Sequence, residues 1–222
     1  MARDAAIIVV KNNLAVALTR DVKEDAMRDE DTTLEEQLEL RDELVEQLMG
    51  SNRRIRQEAS KGLAAMAHED IELVSEVSGE LIDALELPEA QTRWQCLDAL
   101  SEIALVNPEV VLEGFDGAEN ALFDEGSAAV RLSAFRFLAR YGMGAPERSS
   151  QVWSVLREAL QCYHGDPEYR EMMVCMLDFA RGDLDDSVRD ALVSYMSFDA
   201  KNGRGTVRRY AIEMCAVAKG EA

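Results

Sequence analysis

The side chains best equipped for chemistry are few and far apart in this chain of 222 residues, which holds two histidines. His68-Glu69, at the end of a predicted helix, is the one place where a histidine adjoins a carboxylate, and His164 offers no second such pair, which leaves few nitrogen ligands for a metal. Cys162 and His164 flank Tyr163 and would supply two of zinc's four ligands; with no further donors indicated, they read as an ordinary turn. Gly203-Arg204-Gly205 lacks the strand and the lysine of a phosphate loop. Two histidines also leave no nucleophile with a recognisable base. One constellation remains, with Trp94 and Asp98 on one predicted helix and Arg131, Arg136 and Arg140 on the next. The expectation is of no catalytic, cofactor-binding or metal-binding residues.

The elements that must position these groups announce themselves through arginine. Arg56, Arg93, Arg131, Arg170 and Arg208 recur at intervals of 37, 38, 39 and 38 residues, each opening an apolar-faced helix. The third residue after each is Ala59, Cys96, Ala134, Met173 and Ala211, and the seventh is Leu63, Leu100, Leu138, Leu177 and Cys215. A period of this length marks a stacked helical-repeat solenoid, which presents an extended surface to a macromolecule. A first helix over 4–19, with Ile7, Val10, Leu14 and Leu18 on one face, is predicted to cap the first repeat. An acidic connector over 21–31 follows, and Thr32 or Thr33 can cap the next helix with Glu35 or Glu36. The chain thus divides into 1–33, cap helix and connector, and 34–222, the repeats. Helix pairs are predicted over 34–49 and 52–67, 71–87 and 88–106, 108 to Gly126 and 128–141, 146 to Gly182 with its turn at 164–166, and 184–198 and 207–218. All four prolines, Pro88, Pro108, Pro146 and Pro167, are expected at helix starts.

The second helices resemble those of HEAT repeats, in Ile55-Arg56-Gln57-Glu58-Ala59 with Leu63, Val130-Arg131-Leu132-Ser133-Ala134 with Leu138, and Val207-Arg208-Arg209-Tyr210-Ala211. Weaker copies begin at Thr92 and Tyr169. The resemblance implies an all-α, right-handed superhelical, armadillo-like solenoid of about five HEAT-like helix pairs, with the second helices lining the concave side. HEAT repeats also typically carry an aspartate about six residues before the arginine, bonded to the neighbouring repeat's arginine. Gly50, Leu87, Glu125, His164 and Asn202 stand there, so the ladder is expected to be mostly absent, leaving the arginines to cap carbonyls or face solvent.

By the same resemblance a stripe on each second helix is the candidate binding surface, with Asp98 and Glu102, then Arg136 and Arg140, then Met172, Cys175 and Phe179, then Tyr210. Its character runs from acidic to cationic to apolar. The apolar segment from Met172 to Phe179 is either buried by the curvature or a methionine-rich groove for an apolar peptide, with Arg136 and Arg140 pairing with that peptide's acidic residues. Two HEAT-like enzyme families bound the alternatives. Deoxyhypusine hydroxylases bind two irons through repeated His-Glu pairs, which are missing here. Alkylpurine DNA glycosylases set Lys, Arg and aromatic residues around a catalytic aspartate, and Trp94, Asp98 and the arginines approach that pattern.

Charge weighs against the second alternative. The formal net charge is -19, whereas nucleic-acid surfaces rely on clustered Lys and Arg. Residues 21–46 contribute a net -9, and 127–157 a net +4. Cys96, Cys162, Cys175 and Cys215 form no C-x-x-C pair, as suits a reduced, cytoplasmic protein, and no apolar run reaches the roughly 20 residues of a membrane span. The favoured function is a non-catalytic adaptor or scaffold for a protein or peptide partner, without cofactors, with a homodimer through the apolar C-terminal repeat as a further option.

Overall fold

The computed structural model describes residues 34–221, so the expected cap helix and acidic connector over 1–33 lie outside the described residues. Eleven α-helices and two 3₁₀ segments, without a strand, make up what is described. In order they are α1 (Leu34–Met49), α2 (Arg53–Glu69), α3 (Ile71–Ser75), α4 (Ser78–Asp83), a 3₁₀ turn (Ala84–Glu86) and α5 (Ala90–Val106). A second 3₁₀ segment (Pro108–Gly114) leads to α6 (Phe115–Leu122), α7 (Ala128–Gly142), α8 (Pro146–Cys162), α9 (Tyr169–Ala180), α10 (Asp186–Asn202) and α11 (Gly205–Ala218).

The starts of several helices follow from capping. Asn52 accepts from the backbone of Arg54 and Ile55 to open α2, Ser127 from Val130 to open α7, and Asp185 from Ser187 to open α10. Asp70 ends α2 and caps α3 through Leu73, which turns the chain in a single residue. Five pairs result, and the second helices α2, α5, α7, α9 and α11 pack each against the next to form one continuous row. The periodic positions explain that row. Ala59, Cys96, Ala134, Met173 and Ala211 are fully buried, as are Leu63, Leu100 and Leu138, and mostly small residues at the first of these positions let neighbouring helices approach closely. The fold is an all-α solenoid, as the arginine period predicts.

Two first-row elements depart from the predicted continuous helices. The stretch over 71–87 is broken into α3, α4 and a 3₁₀ turn. Ser75 bonds its hydroxyl back to the Ile71 carbonyl at 2.8 Å, a contact that bends helices, and Val77, Ser78 and Gly79 follow with low helix propensity. The third pair opens as 3₁₀ rather than α. Gly117 in α6 is pressed onto the preceding pair, where a Cβ would stand 3.1 Å from Leu85. The prolines divide as well. Pro108 and Pro146 occupy first helical positions, whereas Pro88 and Pro167 lie in the turns just before α5 and α9.

The expectation that the inter-repeat ladder is mostly absent is corrected. Arg56 pairs with Glu89, Arg93 with Asp124 at 2.8 Å, and Arg131 with Glu168, its Nε standing 2.8 Å from the carboxylate. Each acid belongs to the following repeat, but sits four, seven or two residues before that repeat's arginine rather than six. Side chains reach far enough to tolerate such shifts, so a fixed offset missed them. Arg56 and Arg131 also donate to the carbonyls of Gly50 (2.9 Å) and Asp124 (2.8 Å) in their own turns. Between the fourth and fifth pairs the chemistry changes: Tyr169 and His164 each stand 3.4 Å from buried Asp199, while Arg170 is exposed.

Candidate functional site

The outward side of the second-helix row carries a network of alternating charge that crosses three repeats. His68, at the end of α2, stands 3.2 Å from Asp98 through Nε2 and 3.1 Å from Glu102 through Nδ1, both on α5. From the other side, Arg136 of α7 pairs with Asp98 and Arg140 with Glu102. The spacing makes this register possible. Residues four apart lie one above the other on a helix, so the pair 98/102 meets the pair 136/140 rung for rung. Arg140 also reaches the Ser101 hydroxyl at 3.3 Å.

The electrostatics follow from the pairing. Hydrogen bonds to Asp98 and Glu102 raise the His68 pKa to about 9, so the imidazole is a cation at neutral pH. Partial burial opposes ionisation of Asp98, but the hydrogen bond to His68 and the charge of Arg136 outweigh it and hold the carboxyl below its usual range. Glu102 is lowered in the same way by His68 and Arg140. The network is only part-covered, with the side chains of Arg136 and Arg140 33% and 30% exposed.

On the α9 side, Arg136, Arg140 and Met143 face Glu171, Cys175 and Asp178 across a small pocket of about 100 Å³. Burial raises the Cys175 thiol pKa despite nearby Arg136, so it is no activated nucleophile. Asp178 pairs with Arg181, which also reaches Glu213 of α11 at 2.9 Å. The face therefore alternates in sign from helix to helix: His68, then Asp98 and Glu102, then Arg136 and Arg140, then Glu171 and Asp178.

The structure brings together four of the sequence-derived site residues, Asp98, Glu102, Arg136 and Arg140, and sets Cys175 at their edge. It removes two others from any surface. Met172 and Phe179 are fully buried, so of the two readings of this segment it is burial, not an apolar groove, that holds for them. Gly142 explains the burial of Phe179: a Cβ there would stand 2.9 Å from the ring, so only glycine leaves that space. The outward residues of α9 are instead Glu171, Val174, Cys175 and Asp178, part of the pocket lining. Gln95 and Ser133, equivalent to Met172, are buried too, so the second position after the arginine is closed in the middle three repeats. Tyr210 is half-buried on α11 with Arg209 over its ring at 5.0 Å.

His68, weighed in the sequence only as a metal ligand, is the residue missing from the candidate stripe, although on α2 it follows Glu58, Lys61 and Ala65 at helical spacing. The glycosylase-like constellation is not assembled. Asp98 is held between His68 and Arg136, Arg131 belongs to the ladder with Glu168, and Trp94 packs partly buried against the core. Among the described residues no group of three or more His, Cys, Asp or Glu could hold a metal ion, and no helix is long and apolar enough to cross a membrane.

No protein-family model matches the chain, and no curated protein sequence does. Solved structures match its fold. A designed armadillo repeat protein in complex with the peptide (KR)4 is 15% identical with a TM-score of 0.67, over 94% of this chain and 99% of that one. A computationally designed armadillo repeat protein for modular peptide recognition is 14% identical with a TM-score of 0.64, over 94% and 98%. An engineered protein reaches 20% identity and a TM-score of 0.64, over 95% and 98%. At these identities the likeness establishes an armadillo-like, HEAT-like repeat solenoid and nothing finer.

Proposed function

We propose that the chain is a non-catalytic scaffold that holds a protein or peptide segment along its second-helix face. Asp98, Glu102, Arg136, Arg140, Cys175 and Tyr210 are the contacting residues, and His68, Glu171 and Asp178 join them. The observation that carries this reading is the part-exposed charge network running from α2 to α7, with a pocket continuing it to α9. Half-covered ion pairs can exchange partners at little cost, so a segment with charges of both signs can enter the network where a buried pair would refuse it. The peptide complex of a designed protein with the same fold supports a peptide-sized ligand. Met172 and Phe179 act from behind, as the packing that holds α9 in place.

A nucleic-acid partner is disfavoured by the net charge of -19 and by the engagement of Arg131, Arg136 and Arg140 with carboxylates. The unpaired cysteines support a reducing, cytoplasmic setting. The test compares what native lysate yields to the wild-type chain and to a double variant, Arg136→Glu with Arg140→Glu, whose helicity is checked by circular dichroism. Loss of the captured protein from the folded variant is expected; undiminished capture would refute the reading. Retention on immobilised DNA at low salt would revive the glycosylase-like alternative.

A further inference from the structure

We propose a second docking groove, formed between α3 and the junction of the end of α5 with the following 3₁₀ segment, for a partner segment that carries a branched aliphatic side chain flanked by lysine or arginine. It uses none of the side chains of the second-helix face and so does not rest on the function proposed above.

Large exposed apolar side chains mark the place. Among the described residues Leu34, Met49 and Ile55 fall in the first pair and Phe198 and Ile212 in the last. Each of these two pairs has a described neighbouring pair on one side only. Leu105, Val106 and Leu112 are different: they fall within eight residues of sequence at a junction with repeats packed on both sides, and one of them, Val106, is 58% exposed and lines a groove. An ordinary inter-repeat junction would bury aliphatic side chains of this kind, so their exposure points to a surface that something else covers.

The groove itself has a volume of about 420 Å³ and is lined by Val106, Asn107 and Val110 on one side and Glu72, Ser75 and Glu76 on the other. The Ser75 hydroxyl is committed to the Ile71 carbonyl, so beside the polar Asn107 the apolar floor is made by Val106 and Val110, with two carboxylates opposite. Glu76 gives one oxygen to Arg41 at 2.6 Å, and Glu72 makes no ion pair with a described residue. Glu113 lies three residues beyond Val110 in the 3₁₀ segment, hence on the same side, and is exposed. An apolar floor with a rim of carboxylates selects the ligand's chemistry. The aliphatic side chain fills the floor and the flanking cations meet the rim, while acidic peptides, nucleic acids and anionic membranes are repelled.

Fluorescence anisotropy with the full chain tests this. The probe is a labelled synthetic helical peptide with leucines on one face and lysines beside them, measured near physiological salt. Val106→Ser and Glu72→Lys are each expected to weaken binding roughly tenfold or more, as substitutions at a contact centre do. The control Glu158→Lys, an exposed site on α8 with the same charge change, should leave binding within about twofold. Peptides with leucine replaced by serine, or lysine by glutamate, should bind poorly. Equal weakening by Glu158→Lys would reduce the interaction to general attraction by an acidic protein and overturn the proposal. So would unchanged binding by Val106→Ser and by Val110→Ser, both checked for helicity. Arg136→Glu with Arg140→Glu should leave this binding intact, so failure of the second-helix reading and failure of this one are separable.

Discussion

The turn edge of the solenoid and its second-helix face are built from the same chemistry, a guanidinium of one repeat paired with a carboxylate of a neighbour, and differ in burial. Along the turn edge the side chains of Arg131 and Glu168 are 14% and 5% exposed, and the arginine also donates to a carbonyl of its own turn. On the face, Arg136 and Arg140 keep about a third of their surface in water. A buried pair is hard to break, because losing one member leaves an uncompensated charge. On the face the carboxylates Asp98 and Glu102 are 16% and 15% exposed, so it is the more exposed guanidinium that is rehydrated when a pair opens. Burial thus separates a device that holds repeats in register from one that can trade partners.

The sharpest way to break that comparison is to truncate one arginine of each kind. Arg131→Ala should lower stability by about 3–5 kcal/mol, since Glu168 is left buried and unpaired. Arg136→Ala should cost about 1 kcal/mol or less. Urea titration followed by circular dichroism reads both, and equal losses would abolish the distinction between edge and face. Both effects should be set against the core. Leu100→Ala or Leu138→Ala, at fully buried positions in the row, is expected to cost about 2–5 kcal/mol through lost burial and a residual cavity.

A smaller effect tests why the face has the composition it does. Gly142→Ala places a methyl against Val152 and the ring of Phe179, with a cost of about 1–3 kcal/mol from overpacking. Phe179→Ala leaves a cavity of its own, but should cost less in the Gly142→Ala background than in the wild type because the methyl takes up part of the vacated space, and this less-than-additive total is measurable as a double-mutant cycle. Additive losses would mean that Gly142 does not govern how α9 seats its aromatic ring.

The arginine period and the buried Ala and Leu positions behind it made the solenoid readable, because helix packing repeats residue by residue. Ladder acids and helix rotations are not tied to the period in that way. Glu89, Asp124 and Glu168 reach equivalent arginines from three different offsets, and a pattern with a fixed offset detects none of them. The face was half readable for a related reason. The alternation of Asp98 and Glu102 with Arg136 and Arg140 stands in the sequence, but pairing across helices depends on their register, which no single helix encodes. Met172 and Phe179 were placed on the candidate stripe by position, with burial as the other reading; Met172 shares a position closed in all three middle repeats, and at Phe179 the space left by Gly142 takes the ring into the core.

The gentlest probe of the comparison is pH, because edge and face differ in what can titrate. His68 is faced by Asp98 and Glu102, with Arg136 and Arg140 behind them, and its folded pKa of about 9 lies above the ordinary 6.5. A group raised on folding contributes stability that is fully present below its unfolded value and is lost as pH rises through the folded one. The face should therefore weaken between about pH 6.5 and 9. Asp98 and Glu102, held below their usual range, act in the opposite sense, with a contribution present above the unfolded carboxylate range and lost as pH falls through their lowered values. Cys96, pushed up to about 12 by burial, adds an alkaline loss of its own, so the measurement must be a difference. Stability against pH for the wild-type chain minus that for His68→Gln cancels the thiol and isolates the imidazole. The difference should favour the wild type at pH 6 and decline toward pH 9. A flat difference would mean that the imidazole does not bind its two carboxylates as a cation, and the charge network would then begin at α5 rather than α2.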